Sequence, residues 1–143
     1  MKETVFHSIA RTLQQKSNIN VPIQITDHFP GERLVGGKYS LETNQITIYL
    51  EEVKKQCVLI FGSDEYLIDY FTVIVAHELG HAADKTLALL AKQRANALSS
   101  IRKRQLSLII EDNAWRFAKK LLPELTPILA TVRGKSMELY IGQ

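Results

Sequence analysis

Two histidines and a glutamate form the pattern in this chain that most clearly indicates chemistry. They lie in the segment Ala-His-Glu-Leu-Gly-His at residues 76–81. Residues four apart share one helix face, about 6 Å apart along the axis, so His77 and His81 can bind one Zn²⁺ ion together. Glu78 lies about 100° round the helix from His77, beside the metal position, where its carboxylate can polarise a water molecule. This is the His-Glu-x-x-His spacing of zinc-dependent proteases.

The same spacing also arises by chance, on surface helices or among hydrogen-bonded core groups, so the surrounding sequence must be weighed. Residues 64–84 are apolar on nearly every side, a pattern that predicts a buried central helix. Ionisable side chains near the end of such a helix are costly unless they are paired or bind a metal. Gly80 has no side chain and leaves room for a second element to approach closely. The context therefore favours a metal site.

A catalytic zinc usually has three protein ligands and one open position. No histidine follows His81, so we expect a carboxylate to complete the set. The downstream carboxylates are Asp84, Glu111, Asp112, Glu124 and Glu138. Helical geometry distinguishes among these carboxylates.

Glu111 falls on the apolar face of a predicted helix at residues 106–122. Ala114 and Ala118 follow it on that face, and their small side chains would permit close packing against the zinc helix. Asp112 is rotated by about 100° onto a charged face. A carboxylate on an apolar helix face needs a partner, and a metal is a suitable one. Glu111 is therefore the preferred third ligand.

Asp84 is the competing candidate. It follows His77 by seven residues and shares its face, but it lies one turn below the midpoint of the two histidines. This position favours a role in supporting a ligand or closing the helix end over direct ligation. The single cysteine, Cys57, is interpreted as a small buried hydrophobic residue.

The elements that must position these residues indicate an α+β fold. We expect a compact domain of the zincin type, in which a small antiparallel sheet packs on the buried helix at residues 64–84. The predicted helices cover residues 3–16, 51–61, 64–84, 87–105 and 106–122, with the last two continuous or abutting. The predicted strands cover residues 21–25, 38–41 and 46–50, with a further strand at 138–141.

Length and composition are those of an ordinary globular protein. The chain has 143 residues, of which 45% are hydrophobic and 23% charged, and its net charge is +3. These values predict a single domain spanning residues 1–143 and do not require nucleic acid as a partner. The basic cluster at residues 102–104 is interpreted as a solvated helix face.

The sequence also predicts a cytoplasmic location. Residues 1–16 lack the apolar core of a signal peptide, and no apolar run approaches the roughly 18 residues that span a bilayer. One cysteine excludes an internal disulfide and suits a reducing compartment. We therefore expect no membrane partner.

The downstream helix carries a second motif, Glu-x-x-Ala-x-x-Phe-Ala-x-x-Leu-Leu-Pro at residues 111–123. Together with His-Glu-Leu-Gly-His, it resembles the ImmA/IrrE family of bacterial and phage metallopeptidases. Trp115 stands where the family commonly has asparagine, and Pro123 comes one residue early. The resemblance covers about residues 44–123. It implies that Glu111 is the third zinc ligand and that Glu78 is catalytic.

The resemblance also implies a function. It implies a small sheet packed on helices and a hydrolase that cuts a particular protein, often a DNA-binding repressor of a mobile element. The extended run at residues 46–50, just before the zinc helix, could be the edge strand to which a peptide is added by main-chain hydrogen bonds.

Two rival interpretations follow from the sequence. The first is a non-catalytic interaction or regulatory protein that keeps a structural zinc, because no clear oxyanion-stabilising residue follows Glu111. Arg133 and Tyr140 are the only candidates for that role. The second is a protease linked to nucleic acid, which rests on the basic isoelectric point and the cluster at residues 102–104. It is the weaker of the two.

Overall fold

Six α-helices and a three-stranded sheet make up the described part of the chain. The computed structural model describes residues 2–141, and side chains from residue 5 to residue 136. The helices are α1 (Lys2–Ser17), α2 (Leu50–Phe61), α3 (Leu67–Ala83), α4 (Leu87–Asn96), α5 (Ser100–Leu121) and α6 (Thr126–Ile141), and the strands are β1 (Ile23–Thr26), β2 (Gly37–Ser40) and β3 (Gln45–Tyr49). The predicted α+β class is confirmed.

The sheet is mixed, with strand order β1-β3-β2. β2 and β3 form the predicted antiparallel hairpin, whereas β1 pairs with β3 in parallel. The expected wholly antiparallel sheet is therefore wrong at β1, because β3 inserts between two strands that precede it in the chain. The same insertion makes β3 the central strand. The run at residues 46–50 is accordingly not an edge strand, and β1 and β2 occupy the two edges of the described sheet.

Helix α3 lies at the centre of the core, as its apolar sequence predicts. Every residue from Val73 to Gly80 is buried, and the helix packs against β2, α1, α2 and α5. It begins at Leu67, three residues later than expected. Asp64 does not cap it with its side chain; its backbone carbonyl instead accepts a hydrogen bond from the Leu67 N–H at 3.1 Å.

The predicted helix at residues 87–105 is divided in two. α4 ends at Asn96, and α5 begins at Ser100 and continues without interruption to Leu121. The hydroxyl oxygen of Ser99 accepts a hydrogen bond from the Arg102 N–H at 3.1 Å, so it caps the start of α5. α4 and α5 therefore form a helical hairpin, and one long helix carries Glu111.

The two downstream prolines separate α5 from α6. Pro123 begins a short 3₁₀ turn after α5, and Pro127 occupies the first turn of α6, where a missing N–H costs nothing. The strand expected at residues 138–141 is wrong, because α6 continues as a helix through Ile141. α6, which begins at Thr126, therefore includes the segment that was expected to be a strand.

One apolar cluster joins the sheet to α1, α2, α3, α5 and α6. Ile46 and Ile48 of β3 are fully buried in it, as their alternation predicts. Cys57 is buried there as well, in agreement with its interpretation as a hydrophobic residue. Within residues 2–141, none of the helices combines the length and the apolarity that crossing a bilayer would require.

Candidate metal centre

The last turns of α3 carry the three residues of the motif. His77 and Glu78 are buried, with 8% and 5% of their surfaces exposed, and His81 is only slightly more accessible. Their possible ligand atoms all lie within 4.8 Å of one another. The His77 and His81 rings are 4.7 Å apart and nearly perpendicular. These three residues form a cluster that could hold a metal ion, and burial excludes the interpretation of the histidines as surface groups.

Glu111 reaches this cluster from α5. Its Oε1 atom lies 3.1 Å from Nε2 of His77, and its Oε2 atom lies 3.1 Å from Nε2 of His81. One carboxylate thus faces the same ring nitrogen of both histidines. Glu78 sits on the other side of the first histidine, with its Oε2 atom 3.0 Å from Nδ1 of His77. The structure therefore brings Glu111 to the two histidines, where the apolar-face argument places it.

The close approach of α3 to α5 depends on Gly80. A Cβ atom on Gly80 would lie 2.5 Å from the carbonyl oxygen of Ala114 and 2.8 Å from its Cα. Real Cβ atoms do not come so close to backbone, so any side chain at this position would separate the helices. The expected role of Gly80 in admitting a second element is confirmed. The separation of Glu111 from the two histidines is set by this contact.

The donor set and its spacing fit a zinc ion. Zinc bonds of roughly 2.0–2.1 Å in a tetrahedral site place neighbouring ligand atoms about 3.3 Å apart. The two 3.1 Å separations between Glu111 and the histidine Nε2 atoms are close to that value. Two imidazoles and one carboxylate are also the ligand types that zinc accepts. His77, His81 and Glu111 therefore offer donor atoms at a spacing that a metal ion could use.

Among the described residues, two buried nitrogens at the site lack a hydrogen-bond partner. They are Nδ1 of His81 and Nε1 of Trp115. The Trp115 ring lies 4.3 Å from the His77 ring at an angle of 33°. The His81 ring is therefore engaged through Nε2 alone, whereas carboxylates face both nitrogens of His77 and the Trp115 ring packs against it. The sequence analysis gave Trp115 no role at the site, although it follows Glu111 by four residues and so shares its helix face.

The cluster is electrostatically polarised in the absence of a metal. Burial alone would lower the pKa of His77, but the carboxylates of Glu78 and Glu111 outweigh burial and raise that pKa to about 10. Burial would raise the pKa of Glu111, but hydrogen bonds from His77 and His81 outweigh it and hold that pKa well below its usual range. The two carboxylates thus favour the protonated form of His77 in the metal-free protein, and a metal ion that bound Nε2 would compete with that proton.

Asp84 lies outside this arrangement, at the end of α3. One of its carboxylate oxygens accepts hydrogen bonds from the Thr86 N–H and hydroxyl at 2.9 and 2.6 Å, and the other accepts one from the Asn113 amide at 3.2 Å. Both oxygens are thus occupied at the helix end. The bond to Asn113 also ties this end of α3 to α5, two residues beyond Glu111.

Asp112 points away from the cluster, as its helical position predicts. It forms an ion pair with Arg116 at 2.8 Å and another with Arg133 of α6. This second ion pair engages one of the two residues considered for stabilising an oxyanion. The other, Tyr140, lies outside the residues whose side chains are described.

A cleft of about 640 Å³, here called the site cleft, opens beside Glu78. His77, Glu78 and Trp115 line it on one side, together with residues 33–37 and parts of α2, α3 and α6. The edge strand β2 begins at this cleft, and a Cβ on Gly37 would lie 3.1 Å from Cγ of Glu78. Neither the loop nor α6 could be assigned to the site from the sequence, because both reach it only through tertiary packing.

Comparison of the chain with models of known protein families, with curated proteins and with solved structures finds no match.

Proposed function

We propose that this chain is a zinc-dependent peptidase of the ImmA/IrrE type. The observation that carries the proposal is the convergence of the His77 and His81 Nε2 atoms on the carboxylate of Glu111, with Glu78 buried beside them at the wall of a cleft. Zinc supplies Lewis acidity, which polarises a carbonyl group and makes water acidic enough to act as a nucleophile near neutral pH. The substrate implied by the resemblance is a protein, such as a DNA-binding repressor.

Glu78 supplies the acid–base chemistry in this proposal. Its carboxylate accepts the proton of the attacking water and then delivers it to the leaving amine. Glu78 is not part of the ligand set, because Glu111 faces both Nε2 atoms and Glu78 faces Nδ1 of His77. His77 and His81 act as neutral ligands and take no part in the proton transfer.

The edge strand β2 positions the substrate. It pairs with β3 alone among the described strands, so its outer edge can accept a peptide as an additional strand. The approach of Gly37 to Glu78 brings that edge next to the general base. A peptide added to β2 would therefore present its backbone carbonyls to the metal position.

Zinc content tests the ligand set. Protein purified without added metal should contain one zinc ion per chain by elemental analysis, and Glu111→Gln should contain much less. Asp112→Asn is the matched control, because this adjacent carboxylate pairs with arginines elsewhere and should leave the zinc content unchanged. Equal zinc in Glu111→Gln and the control would remove Glu111 from the ligand set.

The second candidate is a non-catalytic protein with a structural zinc. It is favoured by the ion pair between Asp112 and Arg133, which engages an arginine that could otherwise stabilise an oxyanion. Peptide hydrolysis distinguishes the two functions. Zinc-loaded protein that cleaves no retained peptide or captured protein would support the structural role. Capture on zinc-loaded Glu78→Gln, followed by incubation with the wild-type protein, provides this measurement.

A further inference from the structure

The site cleft continues onto the exposed face of α2. A shallower depression of about 490 Å³ lies next to it, lined by Leu34, Lys54, Lys55, Val58 and Leu59. Leu34 and Leu59 line both the depression and the site cleft. Leu59 is 74% exposed, and Val58 and Leu34 are also exposed. An apolar strip thus runs from the buried cluster to the surface of α2, and we call the cleft and the depression together the extended cleft.

Basic residues outnumber acidic ones in the lining of the extended cleft. Four of them are basic, namely Arg33, Lys54, Lys55 and Lys135. Among the described lining residues, Glu78 is the sole carboxylate, and it lies at the buried end. Lys54 is partly neutralised by Glu51 at 2.9 Å. The accessible part of the extended cleft therefore combines apolar and cationic character.

The loop wall of the extended cleft is fixed in place by Gln56. Its amide donates a hydrogen bond to the carbonyl oxygen of Leu34 at 2.9 Å, and its amide oxygen accepts one from the Tyr70 hydroxyl at 2.9 Å. A Cβ on Gly36 would overlap that amide oxygen, so a larger residue there would displace the Gln56 side chain. Because α3, α2 and the loop are linked through one side chain, the apolar strip is held in a fixed position before any ligand arrives.

We propose that the extended cleft selects substrate segments that combine bulky apolar side chains with aspartate or glutamate. This selectivity rests on the proposed peptidase function, and it names the chemistry of the segment that function would cut. Apolar substrate side chains cover Leu34, Val58 and Leu59, while acidic ones face Arg33, Lys55 and Lys135. A nucleic acid would match the charge but would leave the apolar strip uncovered, so a peptide is the better occupant.

A synthetic mixed library of short, terminally blocked peptides tests the proposal. The library is passed over immobilised, zinc-loaded Glu78→Gln protein, and the retained peptides are sequenced. Retained peptides should be enriched in leucine, isoleucine and phenylalanine, and acidic ones should exceed basic ones by about tenfold at low salt. The double variant Arg33→Glu, Lys135→Glu, made in the same background, should lose or reverse this preference. The double variant Lys103→Glu, Lys120→Glu, with both changes at exposed positions of α5 outside the cleft lining, is the charge-matched control and should keep it.

Several outcomes would overturn the selectivity. The first two are the absence of any retained peptide and a retained set with equal acidic and basic content. The third is displacement of the peptides by a DNA oligonucleotide. The fourth is occupation of the extended cleft by a second copy of the chain, seen as dimers that Leu59→Ser dissociates. Cleavage of the retained peptides by wild-type protein is measured separately. Retention with an acidic preference but without cleavage would support the selectivity and contradict the peptidase function. Cleavage without a charge preference would support the peptidase function and contradict the selectivity.

Discussion

Histidine and glutamate side chains form two contrasting contacts among the described residues of this molecule. In the cluster between α3 and α5, two imidazoles face one carboxylate and all the partners are nearly buried. In the second region, here called the outer pair, Nδ1 of His28 lies 3.5 Å from Glu52, and the His28 side chain is 64% exposed. Similar residue types thus form a candidate metal centre in one region, whereas in the other they hold the loop that contains His28 against Glu52 of α2.

The two regions differ in the hydrogen-bond donors that each carboxylate faces. Glu52 is buried, and it accepts a hydrogen bond from the Phe29 N–H at 3.1 Å. Burial would raise the pKa of Glu52, but this backbone bond and the contact with His28 outweigh burial and lower that pKa. Glu111 faces ring nitrogens instead of backbone. The number of imidazole nitrogens that converge inside an enclosed space, not the presence of a histidine–glutamate pair, indicates a metal site.

The largest effect should come from Glu78→Gln. Loss of a general base removes a factor of about 10²–10⁴ in rate. Zinc content should stay near that of the wild type, because the proposed ligand set does not include Glu78. The rate of peptide cleavage and the zinc content are measured together. Glu52→Gln in the outer pair is the matched control, since an amide oxygen can still accept the Phe29 N–H. Wild-type turnover in zinc-loaded Glu78→Gln would show that the catalytic role is wrong.

Removal of an imidazole should lower the zinc affinity of the protein in the cluster between α3 and α5 but not in the outer pair. A structural zinc site contributes about 10–16 kcal/mol over four ligands, so one lost ligand costs about 3–4 kcal/mol, or roughly 10²–10³-fold. We expect a loss of this size for His81→Ala and no change for His28→Ala. Competition with a chelator of known affinity measures it. If both variants weakened binding equally, the enclosed cluster would not be the zinc site.

Gly80→Ala should destabilise the protein by about 1–3 kcal/mol, the usual cost of overpacking. The added methyl group would press on the Ala114 backbone and move α5 outward, so zinc affinity should fall as well. Denaturant unfolding and chelator competition report the two effects. Gly134→Ala is the control, because a Cβ there meets no atom within 4 Å and a helix interior favours alanine. A Gly80→Ala protein as stable as this control would contradict the close-approach argument.

The pH dependence of stability should differ with and without metal. The raised pKa of His77 contributes stability that is complete below pH 6.5 and is lost as pH rises toward 10. The lowered pKa of Glu111 contributes stability that is present above pH 4.5 and is lost as pH falls below it. Metal-free protein should therefore lose up to about 1.4 kcal/mol per pH unit above pH 6.5.

Zinc-loaded protein should lack this loss over the same range, because a metal-bound His77 would be deprotonated in the native state as it is in the unfolded chain. Denaturant unfolding with and without a chelator at several pH values measures both slopes, and metal-free His77→Gln should lose the falling slope. Parallel slopes in the two forms would contradict the proton displacement.

The smallest effect is expected in the outer pair. His28→Ala should change the free energy of unfolding by no more than about 1 kcal/mol, since a largely exposed pair contributes roughly 0.2–1 kcal/mol. Thermal unfolding measures this change. A loss comparable to that of Gly80→Ala would mean that the outer pair also stabilises the core.

Helical periodicity was sufficient to place the central residues of the cluster near one another. His77 and His81 share a face of α3, and Glu111 is the carboxylate on the apolar face of α5, so packing of two apolar faces brings the three together. Trp115 also shares that face, but the sequence shows neither its rotamer nor its contact with the imidazole. The loop at residues 33–37 could not be assigned, because a polar loop has no periodicity that indicates its partner.

The errors in the predicted fold occur where the structure depends on interactions that leave no periodic pattern in the sequence. Strand alternation predicted β1 but not its direction, which depends on the insertion of β3 between β1 and β2. The break between α4 and α5 depends on the Ser99 cap. This local signal was missed because the basic and apolar residues on both sides of it resemble a continuous helix. A strand was expected at residues 138–141, yet α6, which begins at Thr126, continues through them as a helix.

The contact between Gly80 and Ala114 has a consequence for the synthesis of the protein. Glu111 follows His77 by 34 residues, and it reaches the imidazoles only when α5 has packed against α3. A growing chain that has released α3 from the ribosome therefore offers two histidines without their third partner. Zinc can be held by the complete set only after the segment containing α5 has been translated and has docked. Metal acquisition should thus be a late event in the biogenesis of this chain.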